Sequence, residues 1–125
     1  MMKLAKVFSC LTICGCVLCF TSCHRETRVD ASRSLEQSFQ TSEPEVKRAV
    51  AKATTSLNAG EYTDAARALN PVLAGRELTP PQREAAGLLF QQINQALAKN
   101  PSLDSKELYE LRVKLHHAAA GAKRF

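Results

Sequence analysis

Residues 45–73 read EVKRAVAKATTSLNAGEYTDAARALNPVL. Val46, Ala49, Val50, Ala53 and Leu57 recur at steps of three and four, which is the spacing of one buried face on an α-helix. Glu45 falls in the first turn, where unpaired backbone N–H groups favour negative charge. Asn58-Ala59-Gly60 then stops the run. Gly60 suits that place, because glycine enters the left-handed conformation of a helix terminus without a Cβ clash. A second helix follows at once, with Tyr62, Ala65, Ala66 and Leu69 on one face. Asn70-Pro71 is expected to kink or end it, since Pro71 has no N–H and its ring crowds the preceding turn. Val72 and Leu73 continue after the kink, and Gly75 closes the segment.

The same period extends toward the C-terminus. Thr79-Pro80-Pro81-Gln82 has the form of a capping box, with Thr at the cap, Gln three residues later and Pro at the first helical position. Ala86, Leu89, Ile93, Ala96 and Leu97 form the stripe of that third helix, and Asn100-Pro101 ends it. Leu88 and Phe90 widen the apolar surface beyond one face, which marks them as an interaction surface. A fourth helix is expected from Asp104, with Glu107 completing a second box, Leu108, Leu111 and Leu115 as its stripe and Gly121 as its C-cap. Tyr62 and Tyr109 are read as core residues. No segment alternates with period two, so no sheet is expected. The fold class is all-α: four antiparallel helices as two hairpins over residues 44–122.

Gly60, Tyr62, Ala65 and Leu69, with Ala53 seven residues before Gly60, resemble the centre of a tetratricopeptide repeat. In that family a glycine turns between two helices, an aromatic wedges the hairpin, and small residues allow close helix approach. Lys52 and Ser56 stand where the family has large apolar residues, and no second copy of the pattern is present in the chain. The resemblance implies a single repeat-like hairpin with two further helices. Any peptide-binding role would come from the family alone.

The N-terminal region carries a different signal. Lys3 and Lys6 precede Val7–Phe20, which is 14 residues without a charge. That is short of the about 20 residues a spanning helix needs, and it matches the apolar region of a secretory signal. All five cysteines lie at positions 10, 14, 16, 19 and 23. They are interleaved with Leu, Ile, Val and Phe, whereas metal sites draw separated cysteine pairs from polar loops. Phe20-Thr21-Ser22-Cys23 resembles the cleavage motif of bacterial lipoprotein signals, with Phe in place of the usual Leu. The resemblance implies removal of residues 1–22, a diacylglycerol thioether and a further acyl chain on Cys23, and attachment to an envelope membrane. His24 rather than Asp follows the cysteine, which by that family's sorting rules favours the outer membrane. Ile13-Cys14-Gly15-Cys16 is a second, poorer match, with Cys16 as the lipidated residue. Residues 23–43 are polar apart from Val29, Leu35 and Phe39 and read as a lipidated flexible tether. Leu35 and Phe39, four apart, allow at most a transient helical turn.

Composition narrows function more than it names it. Of the 17 basic residues, Lys3 and Lys6 leave with the signal, so 15 face 12 acidic ones. They are dispersed, without the interleaved aromatics of a nucleic-acid surface, and no nucleic-acid partner is inferred. No phosphate-binding glycine loop and no Gly-x-Ser-x-Gly elbow occurs. His116 and His117 are adjacent and so diverge by about 100° on a helix, which prevents them from sharing a metal. Glu61 and Asp64 read as a solvated turn. No catalytic residue, metal ligand, cofactor or small-molecule substrate is assigned. The chain reads as a non-enzymatic envelope lipoprotein, held by its lipid at the membrane and serving a protein partner or self-association. The alternative is a small-ligand carrier or enzyme accessory subunit with a pocket between helices.

Overall fold

The structure is a computed structural model and describes residues 28–121. Within them the chain forms five α-helices and no strand. They are α1 (Ser32–Ser38), α2 (Pro44–Asn58), α3 (Tyr62–Ala74), α4 (Pro80–Lys99) and α5 (Lys106–Ala120), with a short 3-10 turn at Pro101–Leu103. The all-α expectation therefore holds, with five helices in place of four.

The helices begin and end where local chemistry dictates. Gly60 adopts φ +78° after α2, and Gly121 adopts φ +66° after α5; both are positions where a Cβ would be strained. The Thr79 box is fully formed: Thr79 Oγ1 accepts from the Gln82 N–H at 3.4 Å, and Gln82 Oε1 accepts from the Thr79 N–H at 3.0 Å. At α5 the cap is Ser105 rather than Asp104. Its hydroxyl accepts from the Leu108 N–H at 3.1 Å, so Glu107 falls on the second helical residue and leaves the box pattern. Pro71 does not end α3, which runs on to Ala74. Val72 and Leu73 beyond it are buried in the core, so their packing holds the last turn where the ring removes one hydrogen bond.

The main departure is N-terminal. The stretch expected as a tether contributes Ala31, Leu35 and Phe39 to the core, at 0, 0 and 1 % exposure. These three lie at i, i+4 and i+8, one stripe along α1. A seven-residue helix does not persist alone in water. Here it packs on α2 and α4, and tertiary contact supplies what local propensity lacks. Ala31 meets Gln92 while Ser38 meets Gln82, so α1 runs opposite to α4. Phe39 and Val50 border the same shallow depression on the α2 side.

The remaining core is continuous: Val46, Val50, Ala53 and Leu57 from α2, Ala65, Ala66 and Leu69 from α3, Ala85, Ala86, Leu89 and Ile93 from α4, and Leu108, Leu111 and Leu115 from α5. Along α4 and α5 the contacts run in opposite order, Phe90 against His116 and Gly87 against Ala119. Tyr109, read from sequence as core, is 56 % exposed. It sits one position after Leu108 and turns away from the stripe, with the Arg112 guanidinium 5.9 Å from its ring centre.

Because Leu35 and Phe39 are fully buried, Phe39→Ala and Leu35→Ala should each destabilise the fold by about 2–5 kcal/mol, read as a lower urea midpoint. A solvated tether would show no change.

Candidate functional site

A cleft lies at one end of the helices. It encloses about 480 Å³ and is lined by Arg28, Val29 and Asp30 on one side, Leu57–Gly60 and Tyr62 on a second, and Gln92, Gln95, Ala96 and Lys99 on the third. Its geometry follows from two turns of sequence. The Gly60 turn brings the end of α2 and the start of α3 to this end, and α4 delivers its last two turns alongside them.

The polar groups here are mostly committed to the protein itself. Gln92 Oε1 accepts from the Ala31 N–H at 2.8 Å, and Gln95 Oε1 accepts from the Val29 N–H at 3.2 Å. Gln92 and Gln95, three apart on α4, share a face of the helix. The two glutamines therefore hold residues 28–31, the strap that leads into α1, by one backbone N–H each. Asp30 Oδ1 accepts from the Ser32 N–H at 3.0 Å, and the Ser32 hydroxyl lies 3.1 Å from Asn58 Oδ1. The cleft is thus where the segment before α1 is fastened to the other helices.

A second polar feature joins α3 to α5. Arg67 Nε and Nη2 lie 2.7 and 2.9 Å from the two Glu107 carboxylate oxygens, and Arg67 Nη1 also contacts Asp64. The paired geometry is the strong form of this contact, although the groups are solvent-exposed. The Arg67 hydrogen bond and charge hold the Glu107 carboxyl below its ordinary pKa, and Glu107 in turn raises that of Arg67.

The residues named from sequence around the Gly60 turn belong to the α2–α3 part of the core. Ala53, Ala65 and Leu69 are buried, Tyr62 packs half-buried against them, and Gly60 makes the turn. Leu88 and Phe90 are only half-buried and pack against the core, with the Phe90 ring 5.3 Å from that of His116. Among the described residues the most exposed large apolar side chains are instead Tyr109, Val113 and Leu103. Tyr109 and Val113 are four apart on α5, a signal the sequence held but the Leu stripe beside it masked. His116 and His117 are exposed, their rings 6.0 Å apart. Among the described residues no three His, Cys, Asp or Glu side chains gather as a metal site. No described helix is long and apolar enough to cross a membrane. Cys23, Cys16 and the apolar run lie outside the described residues. Comparison with protein-family models, curated proteins and solved structures finds no match to the chain.

The Glu107 shift has a direct consequence for stability. A carboxyl with a depressed folded pKa binds fewer protons folded than unfolded, so its contribution is full above the ordinary glutamate range and is lost as pH falls through the depressed value. Glu107→Gln should lower stability at neutral pH and flatten the stability profile across that acid window, with the gap to the wild type narrowing in high salt. Parallel profiles in thermal unfolding would show that the pair contributes nothing.

Proposed function

We propose that this chain is a lipoprotein of a bacterial cell envelope, attached through Cys23 and presenting a small helical module that binds a protein partner or a second copy. The observation that carries the reading is the run of Lys3 and Lys6, an uncharged Val7–Phe20, and Phe20-Thr21-Ser22-Cys23 immediately before the first charged residues. Three acyl chains on one cysteine, each buried CH₂ contributing about 0.8 kcal/mol, would make the attachment effectively permanent. The outer membrane is favoured over the inner, on the His24 that follows the cysteine.

On this reading α2 with α3, and α4 with α5, are two helix hairpins, the first tetratricopeptide-like. The module acts by binding rather than by catalysis. What supports an interaction role is apolar surface beyond the core stripes: Tyr109 and Val113 exposed on α5, flanked by the Phe90–His116 ring pair. Tyrosine there offers large contact area at low entropic cost. A small-ligand carrier is the second reading, favoured by the cleft of about 480 Å³. Its two central glutamines already hold the strap, which leaves less polar chemistry for a ligand.

The anchor is tested by metabolic labelling with a fatty-acid probe. Wild type should be labelled and membrane-bound, and Cys23→Ala should lose both properties. Label retained by Cys23→Ala and lost in Cys16→Ala would transfer the attachment to Cys16; label absent from the wild type would remove the anchor altogether.

A further inference from the structure

Residues 28–31, only five to eight positions after Cys23, are already fastened at the cleft end of the molecule. Resting on the lipid-anchor reading above, we propose that the cleft end of the module is seated against the membrane headgroups, with the opposite end directed away from the bilayer. The occupant of this surface is the lipid headgroup layer itself.

The argument is one of chain length. Ala31 is fully buried and its N–H is held by Gln92, and the N–H of Val29 is held by Gln95. Arg28, the first described residue, also lines the cleft. Cys23 is five residues upstream. Whatever its conformation, a chain of five residues reaches at most about 18 Å, at 3.3–3.6 Å per residue. Helix α4, of 20 residues, is about 30 Å long. The link is thus shorter than the molecule, and it leaves from one end of it.

That end has the chemistry of a headgroup contact. Next to the cleft, the 3-10 turn after α4 exposes Leu103. Arg28 and Lys99 line the cleft, and Lys106 opens α5 beyond the turn. Long basic side chains can lay their stems on the interface while their charges stay among phosphates. Asp30, Glu61 and Asp104 stand at the same end, so the surface is mixed in charge, and it is the short link rather than net attraction that holds it there. The opposite end carries Ser38, the Thr79–Gln82 cap and Gly121 beside Arg83. Tyr109, in the first turn of α5, is close to the seated end, and the exposed Val113 one turn further on lies along the flank, where a soluble partner can reach it.

The test uses the full-length lipidated protein in nanodiscs whose headgroups carry chelated Ni²⁺, with a nitroxide on Ala59→Cys at the cleft or Glu84→Cys near the opposite end. Intact mass is read first. Relaxation enhancement should be several-fold stronger at position 59 than at 84, and a long Gly/Ser insertion between Thr27 and Arg28 should erase the difference. Equal or reversed enhancement in protein whose mass shows acylated Cys23 would overturn the seating while leaving the anchor intact. A mass without acyl chains would overturn the anchor reading and the seating with it.

Discussion

The two hydrogen bonds from the strap to Gln92 and Gln95 tie the segment before α1 to α4. A buried backbone N–H without a partner costs about 1–3 kcal/mol, and Ala31 has no exposure at all. Gln92 removes that penalty from a distance of 61 residues in sequence. With the strap held, Leu35 and Phe39 point into the gap between α2 and α4. The core closes around them, and α1 becomes a structural helix rather than a passing turn. Without the strap, the fully buried Leu35 and Phe39 would be held less firmly, and Val50, which borders the same depression as Phe39, would lose cover on that side of the core.

The rest of the fold is held more locally. The Gly60 turn joins α2 to α3, the Thr79 box launches α4, and Ser105 and Gly121 bound α5. Arg67 then ties α3 to α5 at the surface. Exposed ion pairs contribute modestly, so this clamp sets relative position more than it sets stability. The division is between an N-terminal element that depends on long-range contacts and C-terminal elements whose ends are written beside them.

That division explains what could be read from the chain. Helices α2 to α5 show in the sequence because apolar residues recur at helical spacing and Gly, Pro and Thr punctuate them. Pro71 leaves open in the sequence whether α3 ends there, and the helix runs on to Ala74 because the packing of Val72 and Leu73 outweighs the local cost of the ring. Asp104 misleads by one residue, because Ser105 offers the same capping chemistry one position closer to the stripe. Helix α1 is illegible for a different reason. Its stripe is Ala31, Leu35 and Phe39 among polar neighbours, and its partners are glutamines on a helix that gives no sign of accepting backbone N–H groups. The cleft is illegible on the same ground. Tyr109 and Val113 are legible only once Leu108, Leu111 and Leu115 are assigned inward, which leaves the adjacent positions outside.

Where the folded body starts also governs how any lipid on Cys23 would be felt, because each residue taken into the core is removed from the link. The most direct measurement is backbone amide hydrogen exchange at Val29 and Ala31. If the strap is part of the fold, the Ala31 amide exchanges as slowly as amides in the middle of α4, and Val29 shows lesser but clear protection. Exchange of both at the rate of an unstructured chain, with α4 still protected, would contradict the account and return residues 28–43 to a tether.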